Sequence, residues 1–189
     1  ACAYTALPEG AAGIPGVIIP RKTIAEISKL VAEAGTDVNI SLSANQIRFR
    51  LENIVLASRL IDGTYPEYEK VIPQSNDKVV EADAAVLSGV IERVSVVSEK
   101  SRGIKLAVRE NLLQVSATAV DEGSAEDEMD AVYTGPELDI GFNYRYLLDI
   151  LAQIKGSTVR LNLNDAVSPV IVRDTADDKA LYVLMPMRV

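Results

Sequence analysis

Residues 16–35 read GVIIPRKTIAEISKLVAEAG, and the order of side chains in that stretch decides the fold. Gly16 to Pro20 is a short β-branched run bounded by glycine and proline, the composition of a strand. Beyond Pro20, Ile24, Ile27, Leu30 and Val31 recur at helical spacing, and Gly35 is placed to end that helix. The period then drops to two. Val38-Asn39-Ile40-Ser41-Leu42 and Gln46 to Leu51 read as half-buried strands and Ile54 to Ser58 as a third, with Asn45 and Asn53 marking the turns. A short strand, an amphipathic helix and several strands thus form one unit.

The unit recurs along the chain. A second copy opens at Lys78-Val79-Val80-Glu81, continues through a helix carrying Val86, Val90, Val94 and Val97, and reaches strands at Ile104 to Val108 and Leu113 to Thr118. The acidic run Asp121 to Asp130, DEGSAEDEMD, reads as a solvated loop before a further strand at Met129 to Tyr133. A third copy opens at Leu138 to Gly141, runs through a helix with Leu147, Leu148, Leu151 and Ile154, and stops at Gly156. Its strands are Thr158 to Leu163, Val170 to Arg173 and Ala180 to Met185. Copies begin about sixty residues apart, longer than the period of the common solenoids. The architecture expected is therefore α+β, with helices on one face of antiparallel sheets. Pro73-Gln74-Ser75-Asn76-Asp77 lacks apolar periodicity and marks a boundary. Residues 74–189 then make a complete domain of two copies, and residues 1–73 the closing half of a domain that begins earlier in a longer protein.

Composition narrows the chemistry. A chain of 189 residues with 48% hydrophobic content can bury a sizeable core. No apolar window is long enough for a membrane helix, and the single Cys2 rules out an internal disulfide framework, so a cytoplasmic location is expected. The formal charge of −8 argues against phosphate-driven binding over the whole surface, though not against a local basic face. Absence of histidine removes the Ser-His-Asp and Cys-His nucleophile systems and the commonest general base. There is no Gly-rich phosphate loop, and the acidic run fails the calcium-loop pattern, so no cofactor and no metal is expected. Asp177 and Asp178 read as a solvated turn beside Lys179.

Four ordered motifs carry a resemblance. Leu60 to Pro73 reads LIDGTYPEYEKVIP, Ser98 to Gly103 reads SEKSRG, Ile140 to Asn143 reads IGFN, and the chain closes on Met185-Pro186-Met187-Arg188-Val189. Together they resemble the bacterial DNA sliding clamp family, the β subunit of DNA polymerase III, over nearly the whole chain. That resemblance implies a non-catalytic processivity subunit: three domains per protomer, each a pair of the repeats above, joined head-to-tail as a homodimeric ring around duplex DNA. Helices would line the hole, which makes Arg21, Lys22, Lys29, Arg93, Lys100, Arg102, Arg145 and Lys155 candidates to face DNA, with Lys22 and Arg102 the best matches. The ring interface would lie around Ser95, Val96 and the strand after the second helix.

The resemblance also implies a hydrophobic pocket for a glutamine-leucine-type peptide motif of polymerase, clamp-loader and repair proteins. Matching positions are Pro66, Lys70, Val71, Asn143, Tyr146, Val167, Val183, Leu184, Met185, Pro186, Met187 and Arg188. Two departures affect peptide preference: the family often has arginine where Lys70 lies and serine where Pro169 lies. Two rival readings stand beside this one, a carboxylate metalloenzyme using the 121–130 acids and a repeat-built scaffold or adhesion module with no DNA role.

Overall fold

A computed structural model describes residues 1–34, 37–98, 100–119 and 123–188. The elements are β1 (Cys2–Ala3), α1 (Arg21–Ala34), β2 (Asn39–Leu42), β3 (Gln46–Leu51), β4 (Ile54–Arg59), β5 (Lys78–Asp83), α2 (Ala84–Ser95), β6 (Gly103–Arg109), β7 (Leu112–Ala119), β8 (Gly123–Asp130), β9 (Leu138–Asn143), α3 (Tyr144–Leu151), β10 (Thr158–Leu163), β11 (Val170–Asp174) and β12 (Asp177–Leu184). The fold is α+β with antiparallel pairing throughout. Contacts divide it into two compact units, Leu7–Glu67 and Ala1–Ala6 with Tyr68–Val189. The division falls ahead of the polar stretch at Pro73, because Tyr68–Val71 forms a 3-10 turn that belongs to the later unit. Ala1–Ala6 joins that unit through β1, which pairs with β12 at Cys2↔Leu181 and Ala3↔Ala180.

Within the larger unit the two repeat copies exchange their first strands. β5 of the earlier copy pairs with β10 of the later one, giving the sheet order β1-β12-β11-β10-β5, while β9 of the later copy pairs with β6, giving β8-β7-β6-β9. Helices α2 and α3 pack against each other, and both sheets feed one core containing Val80, Leu87, Ile104, Leu113, Phe142, Leu147, Val159 and Val170. Asp83 and Asn143, the last residues of the exchanged strands, cap the helices that follow by accepting from Val86 N and Arg145 N. Each strand therefore ends where its helix must begin.

The smaller unit holds one unpaired copy, a three-stranded sheet β2-β3-β4 with Ile27, Ile47, Phe49 and Leu51 as its core. It reproduces the geometry of the second copy closely. Ile18 bridges Ile61 just past β4, as Glu81 bridges Val132 just past β8, and both bridges stand the same distance ahead of their helices. Ile24 and Val31 occupy the positions in α1 that Leu87 and Val94 occupy in α2. They are 44% and 36% exposed where their counterparts are 0% and 1%. Covering them would contribute on the order of 1 kcal/mol each.

Several expectations need correcting. The acidic run is no loop over its described part: Gly123–Asp130 is strand β8, paired along its length with β7. Met129 turns inward and Ala125 is half-buried, while Glu126, Glu128 and Asp130 face water, so the apolar signal was too thin to read. Asp121 and Glu122 lie outside the described residues. The expected strand Met129 to Tyr133 resolves into the end of β8 and an isolated bridge at Val132. Gly16 to Pro20 forms only the bridge at Ile18, and Gly35 lies outside the described residues. Helix α2 buries Leu87, Val90, Ile91 and Val94, whereas Val86 is exposed and Val97 falls in the 3-10 turn Val96–Ser98. Helix α3 stops at Leu151, so Ile154 follows it and is held by its N–H to Leu151 O at 3.0 Å. Asp177 and Asp178 open β12, the turn being Thr175 and Ala176.

Asp174, buried in β11, ties the end of the third helix to that turn. Its Oδ2 accepts from Lys155 N and Gly156 N at 2.8 and 2.9 Å, and its Oδ1 from Ala176 N at 2.8 Å. A Cβ on Gly156 would stand 2.5 Å from Oδ1, so the contact demands glycine. The Gly156 N–H, then that of Ala176, holds the Asp174 carboxyl below its ordinary 3.8. A depressed carboxylate stabilises the fold above its unfolded value, and that contribution is lost as pH falls through the folded one. Asp174→Asn should therefore melt below the parent at neutral pH, with the gap in Tm closing as pH is taken below 3.8. A gap that stays constant over that range would contradict the assignment.

Candidate functional site

The larger unit carries an apolar groove of about 630 Å³ between α3 and the end of β12. Asn143, Tyr146, Asp149 and Ile150 supply one wall, Tyr182, Val183 and Leu184 the floor, and Met185, Met187 and Ala1 the remainder. Capping by Asn143 sets the direction of α3, which places Tyr146 on the rim, 59% exposed, above the buried Ile150. Past β12 the chain crosses to the other sheet, where Met187 N donates to Gly141 O at 2.9 Å on β9. That bond leaves Met185 61% exposed over the groove. A recess of this size lined by tyrosine, methionine and aliphatic side chains suits an apolar ligand rather than a reacting polar one, and methionine adapts to varied shapes.

Of the residues expected here, Asn143, Tyr146, Val183, Leu184, Met185 and Met187 come together in this groove. Val167, Pro186 and Arg188 instead line an adjoining recess of about 520 Å³ with Lys105, Asp139, Ile140, Gly141, Ala166 and Met187, which the two recesses share. Lys70 and Val71 lie in the 3-10 turn Tyr68–Val71, both exposed, and Pro66 lies exposed in the smaller unit. Ala1, Asp149, Ile150 and Tyr182 were missed. Ile150 follows Tyr146 by one helical turn and Tyr182 alternates with Leu184, so periodicity held both signals. Nothing in the sequence marks Ala1, which reaches the groove because β1 runs beside β12.

The eight basic candidates are all exposed. Arg21, Lys22 and Lys29 lie on α1, where Lys29 pairs with Glu26 at 3.4 Å. Arg93 leaves α2 to meet Asp127 of β8 at 2.7 Å, and its guanidinium holds that carboxyl below the usual carboxylate range. Lys100 and Arg102 sit in the turn before β6, Arg102 at a φ of 58° with its N–H on Ser98 O. Arg145 lies over the Tyr144 ring at 5.8 Å, and Lys155 follows α3. At the expected ring interface, Ser95 proves buried, its hydroxyl donating to Glu92 O, whereas Val96 is 68% exposed. The strand after the second helix, β6, is central in its sheet and offers no edge. The terminal strands of that sheet are β8 and β9, of which β9 accepts a bond from Met187 N at Gly141 O.

Among the described residues no three His, Cys, Asp or Glu side chains gather where they could hold a metal ion. Alternation along β8 sends Glu126 and Glu128 away from Asp127, so its acids do not converge. No described helix is long and apolar enough to cross a membrane.

Two strand-exchanged copies of one repeat make an α+β module with an apolar groove at the closing strand. Residues 1–67 match the family model for the DNA polymerase III beta subunit, central domain, and residues 69–188 that for its C-terminal domain. The chain belongs to the DNA polymerase III beta subunit family. It is 43% identical over 183 residues to the beta sliding clamp of Caulobacter vibrioides, covering 96% of this chain and 49% of that one. Against the Escherichia coli K12 beta sliding clamp the identity is 38% over 173 residues, covering 91% and 47%. The crystal structure of a Bartonella birtlesii sliding clamp bound to griselimycin superposes with a TM-score of 0.94 at 44% identity, covering 97% of this chain and 50% of that one. The chain thus spans about half the length of the relatives it matches.

A fluorescent peptide carrying a glutamine-leucine-aromatic motif tests the groove by anisotropy. Deleting residues 185–189 removes both Met185 and Met187 from the lining and should weaken its binding at least roughly ten- to a hundredfold, the range for losing a single buried apolar side chain, and more than Lys70→Ala does. Equal binding by a deletion variant that circular dichroism finds folded would remove the groove from the site.

Proposed function

We propose that this chain is the closing part of a DNA sliding clamp, a non-catalytic cytoplasmic protein that encircles duplex DNA as a head-to-tail homodimer and docks polymerase and clamp-loader peptides. The observation that carries the reading is the apolar groove at Tyr146, Leu184 and Met185, set on a chain that belongs to the beta subunit family. In this reading the stretch that matches the central-domain model, residues 1–67, is the closing half of a central domain, and residues 69–188 form the terminal domain, so the boundary falls a few residues ahead of Pro73. The uncovered Ile24 and Val31 support the first assignment, because an earlier repeat copy would bury them as Leu87 and Val94 are buried in the core that the second and third copies share.

Charge placement fits a ring. Carboxylates concentrate on β8, whose open edge with Glu126, Glu128 and Asp130 suits pairing with a basic strand of another protomer beside the exposed Val96. Basic side chains on α1, on α3 and in the turn before β6 would meet the phosphates. A ring retains DNA by topology, so those contacts stay weak and mobile and an overall charge of −8 is no obstacle.

Retention on DNA is the decisive experiment. With its loader and ATP, the full-length protein should remain on nicked circular plasmid and run off once the plasmid is linearised. Lys22→Glu with Arg102→Glu should slow loading, most at low salt where charges are least screened. Equal retention on circular and linear DNA would favour the scaffold reading instead.

A further inference from the structure

We propose that the face of the sheet β2-β3-β4 turned away from α1 is a docking surface for an acidic segment of a partner protein, one that lies extended and offers carboxylates at every second residue. Arg48, Arg50 and Arg59 are the side chains that receive it. This surface is separate from the apolar groove and uses none of the residues assigned to DNA.

Helix α1 packs on the face that carries Ile47, Phe49 and Leu51. Alternation along β3 therefore sends Arg48 and Arg50 to the opposite face, where both are exposed. Gln46 shares that face, and Arg59 stands opposite it on β4, so the third arginine continues the row by one step. The neighbours set this row apart. In the larger unit Arg160 stands opposite Glu81 and bonds it at 2.6 Å, and Arg109 reaches Asp139 at 2.7 Å. Here Arg48 is flanked by Ser41 and Ala57, and Arg50 by Asn39 and Val55. The three strands hold no carboxylate, and the acids nearest in sequence, Asp37, Glu52 and Asp62, all lie outside them. Among the described residues none of the three guanidinium groups has an ion-pair or hydrogen-bond partner. On a chain of net charge −8, a bare cationic row is a local reversal of sign.

The spacing chooses the occupant. Residues two apart on a strand repeat at about 6.7 Å, and so do same-face side chains of an extended peptide. Carboxylates at alternate positions thus meet successive guanidiniums, each able to form a bidentate pair. Nucleic acid fits less well: this face carries no aromatic side chain on which bases could stack, and the acidic surface elsewhere repels a polyanion that overruns three arginines.

Anisotropy at low salt with the full-length protein tests this, using three labelled probes: a peptide of alternating glutamate and threonine, a threonine peptide with the same number of glutamates at every third position, and an oligothymidylate. The alternating peptide should bind most tightly and should weaken as salt rises. Arg50→Gln alone should weaken it roughly two- to fivefold, the worth of one exposed charge pair, and Arg48→Gln with Arg50→Gln and Arg59→Gln together roughly tenfold or more. Lysine at all three positions keeps the charge but loses the fork, so that variant should fall between the parent and the glutamine variant. Because the three side chains touch neither the groove nor the basic positions assigned to DNA, the glutamine variant should melt with the parent and stay on nicked circular plasmid as the parent does. Unchanged binding of the alternating peptide by the folded glutamine variant overturns the proposal, and so does equal binding of the two peptides by the parent. Tighter, arginine-dependent binding of the oligothymidylate makes nucleic acid the occupant and overturns it as well. Loss of plasmid retention in the glutamine variant would assign the row to the ring's own work on DNA instead of to a partner.

Discussion

Exchange of first strands between two copies of a repeat is the constraint on which the larger unit depends. Strand β5 reaches the sheet of the later copy and β9 that of the earlier one, so neither sheet is complete without the other copy's chain. The helix following each exchanged strand is then drawn into the seam, where α2 meets α3 and Leu87, Val94, Leu147 and Leu151 bury together. The lone first copy has the same bridge, the same helix start and the same three strands. Without a partner copy it leaves the corresponding side chains in water.

The groove follows from the same exchange. Because β9 is given to the other sheet, α3 emerges between the two sheets, and the chain leaving β12 must cross toward β9 to bond Gly141. That crossing places Met185 and Met187 on the open side of α3. On the sheets, Arg109 pairs with Asp139 at 2.7 Å and Arg160 with Glu81 at 2.6 Å. Exposed pairs of this kind contribute little stability.

The sequence reading reached the repeat, the helices and most strands because apolar spacing is a direct consequence of one-sided burial. It failed where that signal is absent. On β8 carboxylates fill the solvent face and Asp127 is used to hold Arg93, leaving Met129 as the only fully inward apolar residue of the strand. Val86 deceived for a different reason: a valine at near-helical spacing can lie on the wet side of the stripe, and only Leu87 and Ile91 reveal its true centre. The exchange was illegible, since antiparallel strands of similar composition do not say which neighbour they take. Ala1 belongs to the same category, given its place by the pairing of β1 with a strand far along the chain.

Native-state hydrogen exchange tests the central claim most directly. If each copy completes the other's sheet, amides of β5, β6, β9 and β10 should open together in one cooperative event at the highest free energy in the chain, with β2, β3 and α1 exchanging well before them. Opening of β6 to β8 as one unit and β10 to β12 as another, at separate free energies, would contradict it.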